Sequence, residues 1–407
     1  MELLAPAGGP EALRTAVLYG ADAVYVGGEA YGLRAKAKNF NRTQLADGIA
    51  YAHAHGVRVY VAVNIIAHEE QLEGLEAYLT ELEAMGADAL IMADAGMIRI
   101  ARRTVPNMEI HLSTQASATN AETFCFWAEQ GLRRIVAARE LSLNEIAAIR
   151  KKTPPETEIE AFAHGAMCIS ISGRCLLSSY LSGRSANLGA CTHPCRWQYA
   201  LMEETRPGEY FPVKEGAEGT YIFNSKDLCM IGYLPEMEKA GIASLKIEGR
   251  MKTPLYIAMV TKIYREALDD LAADITRYKE KIPYYRQMLE LVSHRGYTTG
   301  FYLAPPGAEA QVYDSADYIK KMEFSGKILD GYQDGRQLIE QRGKFSVGDS
   351  LYLLEPQGAL REIAVEELWD EAGNPIDSAP HAQQKVFLRM EPQSAGAVLM
   401  KRKTETI

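Results

Sequence analysis

Residues 2–28 read ELLAPAGGPEALRTAVLYGADAVYVGG. Leu3–Ala5 is a short apolar run, Ala5–Pro10 turns the chain, Pro10–Gly20 carries helical periodicity, and Ala23–Val26 is β-rich again. Strand, tight turn, helix stopped by glycine and second strand make one βα unit. The turn, APAGGP, matches neither the phosphate-binding loop nor the dinucleotide fingerprint. It reads as a tight connection whose N–H groups face a helix start.

The unit repeats along the chain. Further strands read at Val57–Val63, Ala89–Ala93, Glu109–Leu112, Arg134–Ala137, Ile159–Ala163 and Ser244–Ile247. Helical patterns lie between them at Thr43–His55, Gln71–Gly86, Ala121–Gly131 and Ser142–Lys152. Ser142 with Glu145 three residues on is a capping box. Strands alternating with helices predict an α/β protein with a parallel sheet, and eight is the count that closes a (β/α)8, TIM-like barrel. A doubly wound open sheet is the alternative. A barrel places its chemistry just after each strand, at the C-terminal rim.

Two departures from the repeat set the domain plan. A cysteine-rich segment, 164–229, is inserted between the seventh and eighth strands, with a hairpin expected of Trp197–Glu204 with Thr220–Asn224. Residues 255–292 read as long polar helices. Near 325 the texture changes to short apolar runs between Gly/Asp turns, the pattern of a small β-barrel or sandwich. The expected plan is therefore a TIM-barrel-like catalytic domain over 1–325 and a small β-rich, barrel-like domain over 326–407.

Of the 407 residues 47% are hydrophobic and 24% charged, ordinary values for a soluble globular protein. No apolar run is long enough for a transmembrane helix, so no membrane partner is expected. MELLAPAGGPEA lacks the basic and apolar parts of a secretory signal. The cytoplasm is the expected location, and thiols stay reduced there. A net charge of −9 gives no support to a generic nucleic-acid binder, although a local basic patch is compatible with it. No H-E-x-x-H, G-x-S-x-G or Walker sequence is present.

Four cysteines stand at Cys168-x6-Cys175-x15-Cys191-x3-Cys195, just beyond the seventh strand. Thiolates suit an iron–sulfur cluster or zinc, and the spacing leaves both open. The first pair is wide for a zinc knuckle. Cys229 is a fifth candidate that could replace Cys195 or Cys191, whereas Cys125, among Phe124, Phe126 and Trp127, reads as core.

The other strand ends carry polar residues: Glu29, Asn64, Asp94, Ser113–Thr114–Gln115, Arg139–Glu140, His164 and Glu248–Gly249–Arg250. His164 and Glu248 are the acid–base candidates, both expected to point into the rim. Arg34, Arg139, Arg174 and Arg250 suit carboxylates, and Arg184, Arg196 and Lys252 suit phosphate. Asn64 and Gln115 complete the expected substrate-binding set.

The run EAFAHGAMCISISGRCLLSSYLSGRSANLGACTHPCRWQY (160–199) closely resembles the signature of peptidase family U32, the collagenase-like proteins. ELLAPAGGPEAL, LSTQASATN (112–120), NSKDLCMI (224–231), SLKIEGRMK (244–252) and SHRGYTTGFY (293–302) follow in family order. The resemblance implies more than proteolysis. Members of this layout look like oxygen-independent hydroxylases with a 4Fe–4S cluster. The branch of this length forms 5-hydroxyuridine at the wobble position of tRNA and requires prephenate. Sister branches hydroxylate ribosomal RNA or a ubiquinone precursor. The family's cluster ligands carry over to Cys168, Cys175, Cys191 and Cys195, with Cys229 as the alternative fourth. On this reading prephenate meets Arg34, Arg139 or Arg250, and a flipped uridine stacks on Tyr31, Tyr180 or Trp197. tRNA and a related or hydroxylation partner protein are the implied partners. A peptidase and a zinc scaffold are the rival readings.

Overall fold

A computed structural model of the chain describes residues 1–32, 39–167, 178, 182, 184, 191–192, 200–201, 211–212, 224–306, 310–312 and 318–403. Eight parallel strands form the first domain: β1 (Glu2–Pro6), β2 (Ala23–Gly27), β3 (Arg58–Ala62), β4 (Ala89–Met92), β5 (Glu109–Leu112), β6 (Arg134–Val136), β7 (Glu158–Gly165) and β8 (Ser244–Ile247). Each pairs with the next, and Ser244 of β8 is in register with both Glu160 of β7 and Glu2 of β1. The sheet therefore closes into a TIM-like barrel, and the open doubly wound alternative falls.

The helices α1 (Pro10–Leu18), α2 (Arg42–Ala54), α3 (Leu75–Ala84), α4 (Ala95–Thr104), α5 (Ala121–Glu129), α6 (Leu143–Arg150), α7 (Leu234–Lys239), α8 (Pro254–Ala273) and α9 (Ile275–Leu289) follow. Local chemistry sets their ends. Ser142 and Glu145 close the capping box of α6, with the Glu145 carboxylate accepting from Ser142 N at 2.8 Å. Gly20 and Gly86, beyond α1 and α3, sit at φ 96° and 85°, where a side chain would be strained. α8 is not the polar helix its composition suggests. Leu255–Tyr264 is buried throughout, and Lys262 is accommodated by Glu266 at 2.9 Å and the Pro356 carbonyl at 3.0 Å.

The barrel interior is only partly apolar. Leu4, Ala23, Tyr25, Tyr60, Ala89 and Ile91 form a small inner cluster. The remaining space holds charge. Arg134 meets Glu2 at 2.5 Å, Glu158 at 2.6 Å and Glu160 at 3.4 Å, and Glu160 meets Lys246 at 2.6 Å. Burial would raise the Glu2 carboxyl, but Arg134 and the hydroxyls of Ser244 and Tyr60 outweigh it and hold the pKa at about 2.

One irregularity bears on the rim. Lys246 pairs with Phe162 but Ile247 pairs with His164, so Ala163 is an extra residue in β7. Such a bulge turns the following side chain to the other face. Beyond it, the short strand Asp227–Cys229 runs antiparallel to the end of β7, with Cys229 opposite His164. It pairs in turn with Tyr297–Thr298, and Asp227 forms a buried ion pair with Arg295 at 2.7 Å. The expected hairpin is corrected: Ala200–Leu201 pairs with Phe211–Pro212, and Asn224–Ser225 pairs with Gln311–Val312. Most of that segment lies outside the described residues.

From Met322 the chain forms an antiparallel domain around one eight-stranded sheet, with its own core of Ile328, Ile339, Phe345, Leu351, Leu353 and Leu388 among others. Tyr19 of the barrel domain donates to the Leu354 carbonyl at 2.7 Å, Arg342 meets Glu11 at 2.5 Å, and Leu354, Val398 and Met400 join the barrel's outer core.

Candidate active site at the barrel mouth

The C-terminal ends of the strands gather a polar cluster. Glu248, following β8, is 9% exposed. Its carboxylate lies 3.4 Å from the Tyr25 hydroxyl and 3.9 Å from Arg139 Nη2. Tyr25 also donates to the Ile247 carbonyl at 2.9 Å, which fixes its ring. Arg139 lies over the Phe162 ring at 3.9 Å, and Arg250 stands 6.0 Å from the Tyr25 ring centroid. Across the mouth, Asn64 reaches Ser113 Oγ at 3.5 Å, and Ser113 donates to Gln115 Oε1 at 2.9 Å.

Glycines hold this arrangement in place. A Cβ on Gly8 would collide with the Arg250 carbonyl, and one on Gly165 with the Glu248 carbonyl. The loop Glu248–Gly249–Arg250 is thus clamped between the first βα turn and the end of β7. A side chain on Gly27 would likewise meet the Arg250 guanidinium. The APAGGP turn works here as a close-packed wall behind Arg250.

The sequence-derived residues divide accordingly. Glu248, Arg139, Arg250, Asn64 and Gln115 all stand at the C-terminal strand ends. His164 does not point into the mouth. The bulge at Ala163 turns it to the helical side, where Tyr256 and Tyr264 of α8 and Tyr297 surround it at ring distances of 6.1, 5.5 and 5.4 Å. Burial, reinforced by Lys252 and His294, pushes its pKa down to about 3 and keeps the imidazole neutral. Asp94 caps α4, accepting from Met97 N at 2.9 Å. Lys252 donates to Ser293 at 3.2 Å and covers the Tyr318 ring. Tyr31 donates to the Glu73 carbonyl at 2.8 Å. Arg34, Arg174, Arg196, Tyr180 and Trp197 lie outside the described residues. Sequence reasoning missed Tyr25, Phe162 and Lys246. Their signal was strand alternation, which puts Glu160 with Phe162, and Ser244 with Lys246, on one face.

Of the cysteine ligands, Cys168, Cys175 and Cys195 also lie outside the described residues, and no metal-holding group of three forms among those described. Cys191 and Cys229, both partly buried, offer sulfur donors of the chemistry that fits a thiolate-bound cluster. Cys191 adjoins Thr192, which is tied to Ser178 through its N–H at 3.1 Å. Burial pushes the Cys229 thiol up to about 11 despite hydrogen bonds with the Ile231 backbone and Tyr264. Cys125 is half-buried rather than core; its thiol lies 3.4 Å from the Lys152 carbonyl, beside an exposed Phe126.

A closed parallel barrel with a cation-lined mouth, carrying an antiparallel C-terminal domain, defines the class. The family model of peptidase family U32 matches residues 8–312, and that of the peptidase family U32 C-terminal domain matches 320–402. The chain belongs to peptidase family U32. It is 38% identical to tRNA hydroxylation protein P1 of Bacillus subtilis, over 98% of this chain and 94% of that protein. It is 39% identical to tRNA hydroxylation protein P of Escherichia coli, over 95% and 93%. With the Escherichia coli 23S rRNA 5-hydroxycytidine C2501 synthase it shares 35% identity, over 78% of this chain and 48% of that protein. No helix among the described residues is long and apolar enough to cross a membrane.

Proposed function

We propose that this protein is an RNA hydroxylase that converts the wobble uridine of tRNA to 5-hydroxyuridine. The observation that carries the proposal is the near-full-length similarity to two proteins named for tRNA hydroxylation. The mouth supports it, because a recessed polar rim suits a base taken out of its stack. A loop uridine is the target that costs least to flip.

In this reading the reaction is independent of oxygen and takes prephenate as co-substrate. Arg139 and Arg250, with Arg34, would receive its two carboxylates. Glu248, held by Tyr25 and 3.9 Å from Arg139, is the acid–base group of this reading. A 4Fe–4S cluster on Cys168, Cys175, Cys191 and either Cys195 or Cys229 would supply one-electron redox chemistry. A partner protein of the same family or hydroxylation system fits the same reading.

Two measurements test it. Protein purified without oxygen should carry about four irons, and zinc in their place would remove the redox reading. Mass spectrometry of nucleosides from a deletion strain should show loss of 5-hydroxyuridine from tRNA, restored by the intact gene but not by Cys175→Ala. Unchanged tRNA with loss of 5-hydroxycytidine from ribosomal RNA would move the substrate to ribosomal RNA.

A further inference from the structure

The turn after β8 carries an apolar side chain that the fold leaves outside. Met251 is 55% exposed, yet both its neighbours are held inward. Arg250 is 7% exposed. Lys252 donates to the Ser293 carbonyl and hydroxyl at 3.2 Å and lies 3.9 Å from the Tyr318 ring centroid. The Lys252 N–H closes the turn on the Gly249 carbonyl at 2.8 Å, which makes Arg250 and Met251 its two central residues. Turns favour glycine, proline, asparagine, aspartate and serine, so a methionine here is not explained by the turn.

A single exposed apolar side chain is ordinary on a protein surface. Two observations set Met251 apart. The first is its place: of the seven large apolar side chains exposed among the described residues, it is the one that stands within four residues of a barrel strand's C-terminal end. The second is its mounting. A Cβ on Gly249 would meet the Tyr256 ring and Pro6, the Glu248 carbonyl accepts from the Tyr256 hydroxyl at 3.2 Å, and the Arg250 carbonyl lies against Gly8. The turn therefore cannot recede. Met251 is an apolar tip fixed at the lip of the mouth, one residue from Arg250 and three from Glu248.

A base drawn from an RNA loop into a recessed mouth leaves a gap in its stack, and that unstacking is the main cost of flipping. Apolar wedges, methionine among them, offset such a cost by entering between bases. The unbranched, polarizable thioether of methionine adapts to a gap of that shape.

We propose that Met251 is a wedge that takes the place of the target base in the RNA stack while that base occupies the mouth. It is a positioning residue, because it meets the bases on either side of the target and not the reacting atoms. The inference rests on the reading of the mouth as the receptor of a flipped RNA base.

The test is a cycle of binding measurements by fluorescence anisotropy with the full-length protein. One RNA is an end-labelled anticodon stem–loop; the other is the same stem–loop with abasic sites on both sides of the wobble uridine, which leaves no stack to wedge into. Met251→Ala should weaken binding of the intact stem–loop by about tenfold and of the abasic one by less than about twofold, while Met251→Leu stays within about twofold of the wild type on both. The melting temperature should not move, because the side chain is exposed. Equal weakening on the two RNAs would mean a plain surface contact and would overturn the proposal, as would unchanged binding of the intact stem–loop by Met251→Ala. Failure of the unaltered protein to bind the intact stem–loop would instead sink the reading of the mouth as an RNA site, and this inference with it.

Discussion

At the scale of single residues, the mouth turns on Glu248. Its carboxylate is placed by a tyrosine hydroxyl and faced by a guanidinium, and a carboxylate so placed can move a proton where a solvated one would drift. Glu248→Gln keeps the shape and removes that capacity. It should lower the rate of nucleoside hydroxylation by about a hundredfold or more, the range expected for a positioned acid–base group, with little change in melting temperature. A rate within threefold of the wild type, measured by nucleoside mass spectrometry, would remove Glu248 from the chemistry. His164 teaches the opposite lesson. By strand position it belonged with Glu248, yet one inserted residue, Ala163, carries it behind the wall. A bulge is a matter of pairing register between β7 and β8, residues some eighty positions apart in the chain, and nothing local to the histidine announces it.

At the scale of elements, the loop after β8 is held between two glycines on other elements. Gly165 adopts φ 105° and lies against the Glu248 carbonyl, whereas Gly56, at φ 73°, has open space around it. Gly56→Ala should cost only the conformational penalty of about 1 kcal/mol. Gly165→Ala adds a collision with backbone and should both destabilise further and cut hydroxylation. Equal denaturation midpoints for the two variants would show that the clamp does not constrain the loop. The elements themselves were legible in the sequence. All eight barrel strands stand where apolar β-rich runs predicted them, because strands buried on both faces have little choice of composition. The capping box at Ser142 and the glycine stops after the helices were equally local and equally readable. The site was legible only in part: strand ends named Glu248, Arg139, Arg250, Asn64 and Gln115. Tyr25, Phe162 and Lys246 look like strand core until the sheet closes and gives them an inner face. Likewise α8 looked polar because Lys262, Glu266 and Tyr264 find partners that only the folded molecule supplies.

At the scale of the whole molecule, closure joins the two ends of the barrel domain, and Glu2 is the joint. Its carboxylate accepts from Ser244 of β8 at 2.7 Å and from Tyr60 of β3 at 2.7 Å, and it faces Arg134 of β6 and Arg58 of β3. One side chain near the start of the chain thus ties three strands of the barrel across its lower end. The pKa of about 2 makes this a statement about stability. A carboxyl held below its unfolded value contributes stability above that value and loses it as pH falls toward the folded pKa. The window therefore runs from about pH 5 down to about pH 2, and the contribution is on the order of 3 kcal/mol at neutral pH. Glu2→Gln should be less stable than the wild type at pH 7 by about that amount, with Arg134 left short of one partner. The difference between the two proteins should close as the pH is lowered through that window, because the wild type protonates into the state the variant already occupies. Urea unfolding at pH 7, 5 and 3.5 gives the comparison directly. A stability gap that stays constant with pH would mean that Glu2 closes the barrel by packing and hydrogen bonding alone, without the charge that ties it to Arg134.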